Sequence, residues 1–114
     1  MRSRSADGER GSVTAEFAVA LPAIALVLAA SLASVQLAGQ QVRLTDAAAD
    51  AARALGRGES EGAAAAIADR VSGGAGLSAA TDGQFVCATL TGSGSGLLAA
   101  IELRAESCAV TGGR

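Results

Sequence analysis

Charged and apolar positions are sharply segregated along this chain. Arginines stand at positions 2, 4 and 10, Glu16 follows, and no formal charge then occurs before Arg43. As a helix, residues 17–42 would extend about 39 Å at about 1.5 Å per residue. That is longer than the roughly 30 Å hydrocarbon core of a bilayer. The pattern therefore predicts one membrane-spanning helix preceded by a polar leader, residues 1–11. Ser31, Ser34, Gln36, Gln40 and Gln41 make the second half of the span steadily more polar. Pro22, one turn inside, removes a backbone donor and marks a candidate kink, of a kind that membrane helices accommodate when neighbours satisfy the freed carbonyl. The abundant alanines leave the span thin enough for close contact with another helix.

After Arg43 the pattern becomes amphipathic. Arg43, Asp46, Asp50, Arg53 and Arg57 recur at steps of three and four, and so do Leu44, Ala48, Ala51 and Leu55. The helix is thus predicted to continue to about Leu55, with a solvated, ion-paired face and an alanine face that packs on the head or on a neighbouring subunit. Gly56-Arg57-Gly58 ends it. Residues 61–71 read as a second helix, with Ser60 as its cap and Ile67 and Val71 on one face. Gly73-Gly74-Ala75-Gly76 breaks this helix, and the remainder reads as strands.

Asp82-Gly83 is a two-residue hairpin signal that sets Ala79 opposite Val86 and Leu77 opposite Ala88. Gly92-Ser93-Gly94-Ser95-Gly96 reads as the next loop, leading into the alternating Ile101-Glu102-Leu103-Arg104-Ala105-Glu106. Pairing Cys87 directly with Cys108 places Thr89 opposite Glu106 and Thr91 opposite Arg104. Val86, Ala88, Leu90, Ile101, Leu103 and Ala105 then share one apolar face, which the turn extends to Leu77 and Ala79. The expected fold is α+β: a long N-terminal transmembrane helix extending into a small head with a short second helix and a three-stranded antiparallel β-meander. Its segments are a leader at 1–11, a helix at 12–58 spanning the membrane over about 17–42, and a head at 59–114. The sheet's apolar face would cover the alanine-rich helix, leaving the disulfide on the outer face.

Composition narrows the chemistry. Half of the residues are hydrophobic, but only 2% are aromatic, and Trp, Tyr and His are missing. Most of the apolar character is alanine, which buries little area. A head of this size rarely obtains more than about 3–5 kcal/mol from its core alone, so it needs a staple or neighbours. Cys87 and Cys108, the only two cysteines, supply a staple if the segment is exported. Their spacing fits no zinc pattern, and no histidine is present to complete one. All nine basic residues are arginine, against 11 acidic residues, a balance that does not suggest nucleic acid. Without His, Tyr or Lys the usual general bases and Schiff-base nucleophiles are missing. The glycine-serine loop also lacks the Gly-Lys-Ser/Thr ending of a phosphate loop. The chain therefore reads as non-enzymatic, with no cofactor, metal or small-molecule substrate.

Gly11-Ser12-Val13-Thr14-Ala15-Glu16 at the mouth of the apolar run resembles the processing site of type IV prepilins. Phe17-Ala18-Val19-Ala20-Leu21-Pro22 narrows the resemblance to TadE-like minor pilins of tight-adherence (Flp-type) pilus systems. The stretch from Gln40-Gln41 to Ala51-Ala52-Arg53 is similar to the alanine-rich extension of actinobacterial members. The resemblance covers residues 10–58 well and the rest in general character. It implies cleavage between Gly11 and Ser12 by a prepilin peptidase, with Glu16 as the fifth mature residue and with Phe17 and Pro22 belonging to the processing and assembly motif. Implied partners are the membrane, the peptidase, other pilins and the pilus assembly platform. Ser12 stands where major pilins commonly have phenylalanine.

Other readings of the same residues stay open. A glutamate in the first helical turn is favoured by the helix dipole by about 0.3–1 kcal/mol. The apolar run could be a conventional secretory signal cut near Ser34, although it is longer than the usual core of about 7–15 residues. A membrane-anchored accessory module of an envelope secretion system is a further alternative. Arg43, Arg53 and Arg57 weaken orientation by arginine counting; the cysteine pair favours an N-terminus inside the cytoplasmic membrane and a head outside.

Overall fold

The computed structural model describes residues 3–112, with side chains from residue 11 onward. Of the predicted leader, residues 1–11, positions 1–10 with Arg2, Arg4 and Arg10 therefore lie outside the described residues or are described by backbone alone. The elements are α1 (Ser3–Gly56), α2 (Glu61–Ser72), β1 (Gly76–Asp82), β2 (Phe85–Ser93), a 3-10 turn (Gly96–Leu98) and β3 (Glu102–Val110). The strands form one antiparallel sheet in the order β1-β2-β3. This is the α+β architecture expected from the sequence. The chain divides into two compact units, Met1–Val35 and Gln36–Arg114.

In the first unit, α1 exposes every side chain from Gly11 to Leu32. Pro22 lies inside the helix without ending it. Alanine, the best intrinsic helix former, recurs throughout and favours an uninterrupted rod.

In the second unit, the rest of α1 forms the floor of a core made mostly of methyl groups. Leu44, Ala47, Ala48, Ala51, Ala52 and Ala54 are buried together with Ala64 and Ala68 of α2 and with Ala88, Leu90 and Ala105 of the sheet. Leu90 is the one large side chain in this core that is fully buried. The predicted face of Leu44, Ala48, Ala51 and Leu55 is thus the packed one, and it is broader than expected because Ala47, Ala52 and Ala54 join it. Arg43, Asp46, Arg53 and Arg57 are exposed, as a solvated face requires. Arg53 pairs with Asp50 at 2.9 Å, with both side chains largely in water, a geometry that contributes about 0.3–0.5 kcal/mol.

Helix α2 begins where Ser60 Oγ accepts a hydrogen bond from the Ala63 N–H at 3.1 Å. It ends at Gly73, whose φ of 82° lets its N–H donate to the Asp69 carbonyl. A side chain at that left-handed position would be strained. Ile67 and Val71 both pack on the core, as their shared face predicts.

The register from β2 to β3 matches the expected one: Cys87 faces Cys108, Thr89 faces Glu106 and Thr91 faces Arg104. The β1–β2 register differs by a step. Asp82 faces Phe85, so the turn residues are Gly83-Gln84, not Asp82-Gly83, and Ala79 faces Ala88 while Leu77 faces Leu90. Of the two turn residues, only Gly83 has a positive φ, 59°. A type II′ hairpin demands the left-handed residue in first place, and glycine there satisfies it without straining Asp82. The slip moves each partner by two residues, so every side chain stays on its intended face. Two smaller corrections concern the next connection. Gly92 and Ser93 belong to β2, paired with Leu103 and Glu102, and the inner side of Gly92 faces Leu44 and Ala75. Ile101 precedes β3 and is exposed, outside the apolar face that holds Val86, Ala88, Leu90 and Ala105.

The end of β3 returns to the end of α1. The Gly112 N–H donates to the Gly56 carbonyl at 2.9 Å, and the Thr111 N–H to the Gln84 carbonyl at 2.7 Å. A Cβ added at Gly56 would stand 2.9 Å from the Val110 carbonyl oxygen and 3.3 Å from the Ala109 Cβ, whereas one at Gly39 would meet nothing within 4 Å. Both glycines lie in α1, so their replacements separate propensity from packing. Gly39→Ala is expected to stabilise the helix by about 0.5–1 kcal/mol, while Gly56→Ala destabilises the head. Denaturant unfolding of the full chain in detergent, followed by circular dichroism, checks the opposite signs. Replacing both cysteines by serine is expected to cost about 3 kcal/mol in the same assay, the chain-entropy value for a loop of about 20 residues.

Candidate functional site

The residues singled out by sequence fall in two places. Gly11, Ser12, Glu16, Phe17 and Pro22 lie on α1 within the first unit, and Cys87 and Cys108 lie on the sheet of the second. Ser12 and Glu16 are four residues apart and share a helix face one turn from each other. Both are exposed, as are Val13, Phe17, Leu21 and Pro22 around them. Glu16 has no ion-pair partner among the described residues. A side chain at Gly11 would meet nothing within 4 Å, so packing within the chain does not require a glycine there.

The helix that follows is apolar all round. Leu21, Ile24, Leu26, Val27, Leu28 and Leu32 are exposed on all its sides, and none of its most apolar window is buried. A helix of this kind needs an apolar surrounding. Its two hydroxyls are satisfied internally: Ser31 Oγ donates to the Val27 carbonyl and Ser34 Oγ to the Ala30 carbonyl, each at 2.8 Å. Neither hydroxyl therefore brings an unpaired donor into hydrocarbon, where each such group is costly.

Gln40 and Gln41, read from sequence as polar positions late in the span, have a specific use. Gln40 Nε2 donates to Ser95 Oγ at 3.1 Å, and Gln41 Nε2 donates to the Arg104 carbonyl at 2.9 Å. They tie the last turn of the uncharged run to the head. The available signal was positional, since Gln40 sits four residues before the buried Leu44, on the same helix face. Residues 17–39 still cover about 34 Å as helix, enough for a hydrocarbon core of roughly 30 Å.

Cys87 and Cys108 form a disulfide with Cα atoms 4.0 Å apart. Cys87 is half-buried and Cys108 exposed, on the face of the sheet away from the core. Glu106 places a carboxylate oxygen close to both sulfurs, but it accepts a hydrogen bond from Thr89 Oγ1 at 3.0 Å. Sulfurs joined to each other are not thiolates, so this cluster offers a metal no thiolate ligand. A shallow cavity of about 320 Å³ lies beside Gln40, Arg43, Gly73, Gly74 and Ser95. It is at the lower end of ligand-site volumes and lacks the aromatic lining that usually encloses a small molecule.

No family model, curated protein or solved structure matches the chain. The order of its elements is pilin-like. A long apolar N-terminal helix leads into a small α+β head carrying a three-stranded antiparallel sheet and a disulfide. The apolar helix suits a membrane anchor or a signal, and the disulfide suits a head outside the cytoplasm.

Leu28 lies near the middle of the uncharged run. Leu28→Arg is expected to reduce the membrane-integrated fraction, since a central arginine costs about 2.5–3.5 kcal/mol on insertion scales. Alkaline extraction of membranes from expressing cells measures that fraction.

Proposed function

We propose that this protein is a non-enzymatic minor pilin of the TadE-like type, a subunit for assembly of a tight-adherence pilus. A prepilin peptidase cuts between Gly11 and Ser12 on the cytoplasmic side. The mature protein waits in the cytoplasmic membrane as a single-pass subunit, head outward, until it joins other pilins at the assembly platform. The observation that carries this reading is the exposed Glu16 carboxylate at the mouth of an apolar helix, one turn after Ser12. A carboxylate at that position is costly unless something pairs with it. After cleavage, the new ammonium group at Ser12 of one subunit meets Glu16 of its neighbour. Each charge relieves the desolvation of the other, and the pair fixes the stagger between adjacent helices. Gly11 also fits: a helical glycine lowers stability by about 0.5–1 kcal/mol relative to alanine, and the fold gives nothing back for it.

Processing and assembly are separately testable. Amino-terminal sequencing of the membrane-associated form, co-expressed with a prepilin peptidase, is expected to begin at Ser12, and Gly11→Val should leave it uncut. A mature end near Ser34 would instead establish a conventional secretory signal. Glu16→Ala should insert and be cut normally, yet fall about tenfold or more in purified fibres, the ratio given by about 1.4 kcal/mol. Unchanged incorporation by quantitative mass spectrometry would refute the assembly role. A head found only in membranes, never in fibres, would mark an accessory module.

A further inference from the structure

The free edge of β1 carries backbone groups left over from the sheet's own bonding. The strand order β1-β2-β3 leaves β1 and β3 at the edges. Opposed residues of an antiparallel pair alternate between those that exchange hydrogen bonds, with Cα atoms about 5.5 Å apart, and those that do not, about 4.5 Å apart. Cys87 and Cys108 have Cα atoms 4.0 Å apart, so they form a non-bonded pair. The N–H and C=O of Cys87 therefore turn the other way, onto Ala80 of β1. The hairpin gives the same phase independently, because Asp82 and Phe85 close a two-residue turn and bond each other. By the same alternation Ser78 and Gly76 bond to β2, and Leu77, Ala79 and Thr81 direct their N–H and C=O groups off the edge. Applied to β3, the rule turns the Arg104 carbonyl outward, which is where Gln41 Nε2 meets it.

The two edges differ in how they are guarded. β3 carries Glu102, Arg104 and Glu106, and Gln41 caps one of its carbonyls. β1 has no formal charge before its last residue, Asp82, no proline, and no bulge in its register. Ser78, Ala80 and Thr81 are exposed. Among the described residues no further backbone hydrogen bond reaches the outward groups of Leu77, Ala79 or Thr81. Proteins usually blunt an edge with charge, proline or a bulge, because a bare one pairs with another strand.

One occupant satisfies every outward group at once. A second copy of β1, antiparallel about a two-fold axis beside Ala79, sets Ala79 opposite its own counterpart and Leu77 opposite the second copy's Thr81. These are the residues whose groups point outward, so each exchanges bonds with its opposite number. Ser78 then lies opposite the second copy's Ala80, and Asp82 opposite the second copy's Gly76, so no like charges meet. Residues of the same face stay together, which keeps both apolar faces on one side of the joined sheet. The helices of both copies lie on that side too, and the exposed positions of α2 include Gly62, Ala63 and Ala66, small residues that let a second helix come close. A two-fold contact of this kind is self-complementary and closed.

We propose that two copies of this chain pair edge to edge through β1, joining their three-stranded sheets into one continuous sheet. The inference uses the head alone and does not depend on cleavage after Gly11 or on entry into a fibre.

Nuclear magnetic resonance on the full-length chain in detergent micelles tests it. Amide exchange at Leu77, Ala79 and Thr81 is expected to slow about tenfold or more from dilute to concentrated samples, while Cys87 and Thr89 stay slow throughout. In a mixture of labelled and unlabelled copies, an intermolecular Overhauser effect should join the Hα protons of Ser78 and Ala80, which face each other in a non-bonded pair. Two variants remove the contact and spare the β1–β2 ladder. Ala79→Pro deletes an outward N–H, a place where an edge strand accepts proline. Ser78→Lys combined with Ala80→Lys sets like charges opposite each other across the two-fold axis. Both should restore fast exchange of the outward amides at every concentration and leave Cys87 and Thr89 protected. Should Ala79→Pro also expose Cys87 and Thr89, the lysine variant decides, since its changes lie on the exposed outer face. Fast exchange of the outward amides in the concentrated unaltered chain overturns the proposal, and so does protection that persists in the lysine variant. Self-association without the Ser78–Ala80 contact assigns pairing to another surface and overturns it as well.

Discussion

Close approach between backbones, made possible by alanine, is the constraint on which the head depends. The core between α1, α2 and the sheet is lined by methyl groups, with Leu44 and Leu90 as its larger fillers. Each alanine buries little apolar area, so burial per residue is modest. The gain comes from distance: small side chains bring polypeptide against polypeptide, and the packing becomes sensitive to a single carbon. Gly56, against the Val110 carbonyl, shows how little space remains there. Larger side chains at these alanines would overpack the core, at about 1–3 kcal/mol each. A core this thin explains why a covalent cross-link accompanies it.

The disulfide and the thin core divide the work between the two faces of the sheet. Val86, Ala88 and Leu90 turn inward while Cys87 and Thr89 turn outward, the plain alternation of a strand with one face buried. The inner face holds the helices, and the outer face is held by the sulfur bridge and by the Thr89–Glu106 hydrogen bond. Neither face relies on aromatic stacking, since Phe85 is the one aromatic residue of the head.

Much of this organisation was legible in the sequence. The strict two-residue period of β2 and β3, anchored by paired cysteines, specified the register between them. The three- and four-residue steps of Leu44, Ala48, Ala51 and Leu55 specified the packed face of α1. Where the reading slipped, the cause was local. Asp-Gly and Gly-Gln are both admissible two-residue turns, and the choice between them depends on which residue must adopt positive φ, here Gly83 alone. The glycine-serine run hid the end of β2, because glycine in a strand looks like a loop until the opposing leucine is known. Gln40 and Gln41 were visible as polar residues but not as anchors, since their partners lie more than fifty positions away. At the candidate processing site, Gly11, Ser12 and Glu16 were legible as a motif by resemblance, whereas the fold adds only that they are exposed and share a helix.

The hydrogen bond between Gly112 and Gly56 has an evolutionary consequence. Residues 57–111 make an excursion that leaves the end of α1 and comes back to it, so the head is a cassette with adjacent ends. Its exchange for another fold requires that the new ends meet at the same spacing, that one surface accepts the alanine stripe, and that new partners receive the hydrogen bonds of Gln40 and Gln41. Helix and head can therefore diversify at different rates.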